Sequence, residues 1–214
     1  MNRLHELIPG PAGDIELYVD LAERPVALAL VAHPHPLFGG TADNKVVTTL
    51  ARAFRDLHCI ALRPQFRGVG QSAGTHDAGA GETDDLHAVL AWGQAHFGAL
   101  PVVLGGFSFG AHVVARLTQR LIAANQPPAR LVLVGTAAGR IVDHRVYDTP
   151  PVPPTTLVIH GSDDDTVPLA NVLAWAEPQE LPVVVIPGAD HFFHRRLHLI
   201  RRLVAEHCQP LCGG

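Results

Sequence analysis

Short, continuous apolar runs alternate along this chain with longer segments whose apolar residues recur every three to four positions. A short run that is apolar at every position is typical of a strand buried on both faces of a parallel sheet. Strands are predicted at 26–32, 59–62, 101–104, 131–134, 157–159 and 183–186, and helices at 43–57, 83–97, 109–124, 169–176 and 191–207. This alternation predicts an α/β protein with a doubly wound, mostly parallel sheet and helices on both faces.

The sheet predicted from these runs extends over most of the chain. Residues 15–21 alternate enough between apolar and polar to form an antiparallel edge strand. The four prolines within 147–154 are interpreted as a loop, because strands of the same sheet lie on both sides of it. The 214 residues contain no internal repeat and are enough for one large domain, so we expect a single domain over 1–214.

Charge and cysteine content exclude several classes of protein. The formal net charge is −4 and no long run of like charges occurs, which argues against nucleic acid or an anionic membrane as a partner. The start of the chain lacks the apolar region of a secretory signal, and no uninterrupted apolar run reaches the roughly 18 residues of a membrane span. Cys59, Cys208 and Cys212 do not form a disulfide framework. We therefore expect a cytoplasmic protein.

Two segments match the pattern Gly-x-Ser-x-Gly, and they differ in context. The segment 106–110 follows the predicted strand 101–104 directly and opens the helix at 109, which is the strand, sharp turn and helix of a nucleophile elbow. The segment 70–74 lies well past the preceding strand and opens no helix, so Ser72 is interpreted as a loop residue. Context therefore favours Ser108 as a nucleophile.

A base and an acid are expected after later strands, because this arrangement follows the chain order Ser, then Asp or Glu, then His. His191 follows the last predicted strand and could reach over the sheet to a serine hydroxyl. Three adjacent carboxylates, at 163–165, follow the strand at 157–159, and position alone does not choose among them. His194 and His198 could form a metal pair on a helix, but no third ligand is evident, and no metal site is predicted.

An oxyanion hole needs two backbone N–H groups, one after the nucleophile and one from the loop after an early strand. Phe109 supplies the first. The loop 33–40 should supply the second, and since Pro34 has no N–H, the nearest donor is His35, followed by Leu37.

Together these motifs resemble a known family. The segments that carry the likeness are His-Pro-His-Pro-Leu-Phe-Gly-Gly at 33–40, Phe-Arg-Gly-Val-Gly-Gln-Ser-Ala-Gly at 66–74, Gly-Glu-Thr-Asp-Asp-Leu at 81–86, Gly-Phe-Ser-Phe-Gly at 106–110 and His-Phe-Phe-His at 191–194. The chain resembles, from about 14 to about 200, the small bacterial α/β-hydrolases without a lid that are related to dienelactone hydrolase. The resemblance implies the α/β-hydrolase fold without a cap domain.

The same resemblance implies roles for individual residues. The family pattern His-Gly-x-x-Asp-x-x-Val-Pro falls on 160–168 and singles out Asp164 as the acid. It also implies that the segment 66–74 is structural. Dienelactone hydrolase itself has a cysteine where Ser108 stands, so dienelactone is not the expected substrate.

The sequence thus predicts a serine hydrolase that cleaves small or short-acyl carboxylic esters, or thioesters, with Ser108, Asp164 and His191 as its catalytic triad. Only 135–154 is available for a lid, so an open site and a small-molecule acyl substrate are expected, without metal or organic cofactor. A homodimer is compatible with the sequence. The alternatives are a short-peptide or amide hydrolase and a non-catalytic hydrolase-like binding protein. A dinucleotide site at 68–74 has the wrong third glycine spacing.

Overall fold

Residues 3–209 are described by this computed structural model, and Cys212 lies outside them. The strands are β1 (Arg3–Gly10), β2 (Gly13–Asp20), β3 (Ala27–Ala32), β4 (Cys59–Pro64), β5 (Val102–Phe107), β6 (Arg130–Val134), β7 (Gly139–Arg140), β8 (Val146–Tyr147), β9 (Leu157–Gly161) and β10 (Val183–Ile186). The helices are α1 (Lys45–Asp56), α2 (Ala80–Phe97), α3 (Phe109–Ala123), α4 (Leu169–Ala176) and α5 (Leu197–Cys208). None of these helices is both long and apolar enough to cross a bilayer.

Eight strands form one sheet in the order β1-β2-β4-β3-β5-β6-β9-β10. Six strands of this sheet are parallel to one another, namely β4, β3, β5, β6, β9 and β10. β2 runs antiparallel to both of its neighbours, β4 and β1. The predicted α/β class and mostly parallel sheet are confirmed. The chain order reverses beside β3, so the carboxyl ends of β3 and β5 meet at a topological switch point, where ligands bind in sheets of this kind.

The antiparallel strand predicted at 15–21 is present as β2, but its predicted position at the edge of the sheet is wrong. β2 is the second strand, because β1 pairs along its outer side from Arg3 opposite Asp20 to Gly10 opposite Gly13. β1 gives little hydrophobic signal, since Ile8 is its only buried residue.

Helices cover both faces of the sheet. α1 and α5 pack on one face through residues such as Leu50, Phe54 and Ile200. α2, α3 and α4 pack on the other face through residues such as Leu90, Leu117 and Val172. Every residue of β3 is fully buried, as its continuous apolar run predicts for a strand between two helical layers.

Two helices, α2 and α5, begin three or more residues away from the start that the sequence predicts. α2 begins at Ala80 rather than 83, because the buried Glu82 carboxylate accepts hydrogen bonds from the backbone N–H groups of Asp77 and Gly79 and caps the helix. α5 begins at Leu197 rather than 191, because Phe193 and Arg195 have positive φ angles of 54° and 60°, which interrupt a right-handed helix.

The segment after β6 contains a small β-hairpin that the sequence does not predict. β7 and β8 pair antiparallel, with Gly139 opposite Tyr147 and Arg140 opposite Val146. Two-residue strands are too short to produce a hydrophobic period. No helical cap is inserted in this segment of the described chain, which agrees with the predicted fold without a lid.

Candidate active site

Ser108 occupies a sharp bend between β5 and α3. Its backbone angles, φ 56° and ψ −118°, fall in a region that residues with a side chain rarely adopt, at a conformational cost of about 1–3 kcal/mol. Hydrogen bonds hold the bend in place, because the N–H of Ser108 donates to the carbonyl of Val134 at 2.9 Å and its carbonyl accepts from the N–H of Ala137 at 3.3 Å. The bend directs the hydroxyl away from the strand at its carboxyl end.

Glycines make this bend possible through close backbone contacts. A Cβ at Gly106 would lie 2.5 Å from the carbonyl oxygen of Gly110, and a Cβ at Gly110 would lie 2.4 Å from the carbonyl oxygen of Ala32. The end of β3 therefore packs directly on the first turn of α3. This contact brings the loop after β3 next to Ser108.

His191 and Asp164 lie within hydrogen-bond distance of Ser108 in one continuous chain. His191 Nε2 is 3.0 Å from Ser108 Oγ, and His191 Nδ1 is 2.7 Å from Asp164 Oδ2. All three residues are buried, since Ser108 and Asp164 are each 7% exposed and His191 is 3% exposed. With Nδ1–H donating to the carboxylate, Nε2 presents its lone pair to the serine hydroxyl, which is the arrangement a general base requires.

Only the middle one of the three adjacent aspartates faces His191. Asp164 Oδ1 accepts from the backbone N–H groups of Thr166 and Val167 at 3.0 and 2.7 Å, which turns Oδ2 toward the imidazole. Asp163 and Asp165 are exposed to solvent. Backbone donors thus fix the rotamer of Asp164.

A second buried histidine, His160, contacts the same carboxylate, and the sequence analysis did not single it out. Its Nε2 lies 2.9 Å from the carbonyl of Val167 and 3.4 Å from Asp164 Oδ2. Burial lowers the pKa of His160, so the ring is neutral and donates Nε2–H to that carbonyl. The position of His160 within the motif at 160–168 was the available signal. The ring holds the loop that carries Asp164 against the end of β9.

The two residues whose backbone N–H groups are predicted to form an oxyanion hole lie on neighbouring segments. Phe109 is the first residue of α3, where backbone N–H groups have no intrahelical acceptor. His35 lies in the loop after β3, and its ring centroid is 4.9 Å from that of Phe109. The N–H of Leu37, the other donor considered from the sequence, donates to His35 Nδ1 at 3.2 Å.

The buried ring of His33 sets the orientation of the peptide that carries the His35 N–H. His33 Nδ1 lies 2.7 Å from the carbonyl oxygen of Pro34, and Nε2 lies 2.9 Å from the backbone nitrogen of Phe66, whose N–H it accepts. Burial lowers the pKa of His33 to about 4, which keeps the ring neutral, as these two bonds require. In a trans peptide the carbonyl and the N–H point in opposite directions, so the His35 N–H points away from His33.

Ser72 has a structural environment. Its hydroxyl donates to the carbonyl of Gln65 and accepts from the N–H of Glu16, both at 2.9 Å. It thereby ties the loop after β4 to β2. These hydrogen bonds support a structural role for the segment 66–74.

His194 and His198 do not share a helix, contrary to the sequence prediction. His198 lies on α5, whereas His194 lies in the preceding turns, where its Nδ1 is 2.6 Å from Asp190 Oδ2. The positive φ angles at Phe193 and Arg195 explain the difference. Within residues 3–209, no three side chains of His, Cys, Asp or Glu are grouped to hold a metal ion.

Two cavities adjoin the loops that carry these groups. One, of about 540 Å³, lies between the segment 39–46 and Phe192, the neighbour of His191. The other, of about 280 Å³, is lined by His35 and by His112, which lies one helical turn after Ser108. The loop after β3 contributes a lining residue to each, Gly39 to the larger cavity and His35 to the smaller.

Comparison with known proteins finds relatives that are similar to this chain in sequence and structure. XC6422 of Xanthomonas campestris, described as an α/β serine hydrolase without a lid, is 38% identical with a TM-score of 0.84, over 97% of this chain and 94% of that one. An α/β serine hydrolase homologue from Coxiella burnetii is 37% identical with a TM-score of 0.80, over 96 and 97% of the two chains. An uncharacterised protein of Rickettsia prowazekii is 32% identical over 92% of this chain and 85% of its own length. No protein-family model matches the chain.

Proposed function

Because the chain belongs to the α/β serine hydrolases without a lid, we propose that it hydrolyses small or short-acyl carboxylic esters, or thioesters, through an acyl-enzyme on Ser108. The observation that carries the proposal is the hydrogen-bonded chain from Ser108 Oγ through His191 to Asp164. A serine hydroxyl is a weak nucleophile, and it needs an adjacent base held by a third group.

The proposed reaction proceeds in two steps. Ser108 Oγ attacks the acyl carbonyl while His191 Nε2 takes the hydroxyl proton, and His191 then passes that proton to the leaving alcohol or thiol. A water molecule, deprotonated in turn by His191, attacks the acyl-enzyme, releases the acid and restores Ser108. Asp164 holds the imidazole tautomer and stabilises the imidazolium in both steps.

The oxyanion of each tetrahedral intermediate is assigned to the backbone N–H groups of Phe109 and His35. The helix dipole of α3 adds to the first of these, since Phe109 is the N-terminal residue of that helix. Loss of one such donor typically lowers kcat about 100- to 1,000-fold.

The surroundings of Ser108 favour small substrates in an open site. No inserted cap covers the carboxyl ends of the strands within residues 3–209. Exposed rings stand beside the groups assigned to the reaction, since Phe38 and Phe192 are 64 and 46% exposed and lie 5.0 and 5.2 Å from the rings of His35 and His191. These rings offer apolar contact to a substrate without enclosing it.

Labelling with a fluorophosphonate probe tests the nucleophile. The wild-type protein is expected to react with one equivalent of probe, and Ser108→Ala to react with none. Ser162→Ala, an exposed residue, is the matched control and should label fully. Loss of labelling in Ser72→Ala but not in Ser108→Ala would refute the assignment, and absence of labelling in the wild type would favour a non-catalytic binding protein.

Substrate profiling tests the ester assignment. A panel of p-nitrophenyl esters, acyl-CoA thioesters and aminoacyl amides should give the highest kcat/KM on the esters or thioesters with short acyl chains. Higher values on the amides would favour a short-peptide hydrolase and contradict the proposal.

A further inference from the structure

The smaller cavity, of about 280 Å³, borders the groups assigned to the reaction. Its lining residues come from the loop after β3, the segment before α2, the first turns of α3 and the hairpin strand β8, and include His35, His76, His112, Arg116, Tyr147 and Asp148. The ring of Phe109 lies among them, 4.9 Å from His35, 5.2 Å from His76 and 6.0 Å from Tyr147 between centroids. A group bound in this cavity would therefore lie beside the proposed oxyanion hole.

His112 is a buried polar residue of this cavity, and its hydrogen bonds determine its tautomer. Its Nδ1 lies 2.9 Å from Thr149 Oγ1, and the single hydroxyl proton of Thr149 is donated to the carbonyl of Ala137. Thr149 Oγ1 can therefore only accept from His112, so Nδ1 carries the proton and Nε2 carries a lone pair.

His112 Nε2 is an uncovered acceptor. Among residues 3–209 no protein group forms a hydrogen bond with it, although the residue is 97% buried, with 3% exposed. A Cβ at position 79 would lie 3.1 Å from Nε2, so the glycine present there, with φ +99°, leaves the atom open to the cavity. An acceptor that faces a cavity and has no protein partner takes its donor from water or from a ligand that displaces that water.

The ring remains neutral at physiological pH, so Nε2 accepts and does not donate. The pKa of His112 is lowered to about 4, chiefly by burial. The positive charge of Arg116 also lowers this pKa, and its effect is larger than the opposite effect of the negative charge of Asp148. The same positive charge disfavours an ammonium group as the donor. A hydroxyl group carries a proton to donate and no charge.

We propose that this cavity binds the acyl portion of the substrate and that His112 Nε2 selects acyl groups that carry a hydroxyl. The inference rests on the proposed function and names the substrate class for the same site, namely esters or thioesters of short hydroxylated acids. An acyl chain without the hydroxyl displaces solvent from Nε2 and leaves this acceptor without a hydrogen-bond partner. This loss is the physical basis on which a polar site rejects an apolar analogue.

Kinetics on matched esters test the subsite. Ethyl hexanoate is compared with its 2-, 3- and 6-hydroxy derivatives, and acid release is followed in a pH-stat. The wild-type protein should prefer at least one hydroxylated ester by about 10-fold or more in kcat/KM. Equal values on all four esters would overturn the subsite and leave the proposed function standing. Absence of hydrolysis of every ester, together with absence of fluorophosphonate labelling, would overturn both.

Two variants test whether His112 carries the preference. His112→Leu removes the acceptor, and Thr149→Val removes the group that fixes its tautomer. In both, the ratio of kcat/KM between the preferred hydroxylated ester and ethyl hexanoate should fall toward one. His87→Leu, an exposed histidine on α2, is the control and should retain the wild-type ratio. An unchanged ratio in a folded His112→Leu protein would refute the role of His112, and the wild-type ratio remains decisive if that variant does not fold.

Discussion

His33→Leu would test how the proposed oxyanion donor is oriented. The substitution removes both ring hydrogen bonds, the one to the Pro34 carbonyl at 2.7 Å and the one from the Phe66 N–H at 2.9 Å. The leucine side chain has no hydrogen-bond donor or acceptor, so both backbone groups lose their hydrogen-bond partner. The Pro34–His35 peptide then loses the contact that sets its plane.

The expected magnitudes follow from burial. His33 is 0% exposed, so two backbone groups lose partners in a dry environment, at about 1–3 kcal/mol each, and the free energy of unfolding should fall by roughly 2–6 kcal/mol. Complete loss of an oxyanion donor lowers kcat about 100- to 1,000-fold, which sets the ceiling for a donor that is only misaligned. We expect kcat to fall about 10- to 100-fold and KM to change less than about threefold, because the donor acts on the transition state.

Steady-state kinetics on a short-chain ester and the affinity of a boronic acid analogue of the tetrahedral intermediate measure this effect. Both kcat/KM and the analogue affinity should fall by similar factors. Leu90→Ala on α2 is the matched control, because it removes buried apolar contacts outside the loop after β3. It should lower the free energy of unfolding by about 2–5 kcal/mol, a loss similar to that expected for His33→Leu. If His33→Leu loses stability but keeps wild-type kcat and analogue affinity below its unfolding temperature, His33 has no part in orienting the donor.

Two further predictions concern the acid and the pH range. Asp164→Asn should lower kcat about 10,000-fold by favouring the wrong imidazole tautomer, while Asp163→Asn, exposed and next to it, should change kcat less than about threefold, and comparable losses in both would contradict the choice of Asp164. His33 and His112 have folded-state pKa values of about 4 against an ordinary 6.5, so the unfolded chain binds more protons between these pH values. Urea unfolding should show stability falling as pH falls from 6.5 to 4, by about 3 kcal/mol for each residue, and a flat profile would show that neither ring is buried neutral.

The central strands and the elbow were predictable because their signals are local. β3, β5 and β6 are short apolar runs, and the glycines at 106 and 110 stand at fixed offsets from the serine within a single strand, turn and helix. The weaker elements gave no such signal. β1 is largely exposed, β7 and β8 have two residues each, and the start of α5 depends on two left-handed residues that no periodicity marks.

The sequence by itself determined the layered parallel sheet, the family resemblance and the chain order of serine, aspartate and histidine, since apolar runs and short motifs act through neighbouring residues. The family pattern singles out Asp164 among three adjacent aspartates, but position alone does not. Only the tertiary structure decided that the Asp164 carboxylate faces His191, how the Pro34–His35 peptide is turned, and which nitrogen of His112 carries its proton. These outcomes depend on hydrogen bonds between buried groups. Sheet register and helix packing bring such groups together across the sequence, and a one-dimensional pattern contains neither.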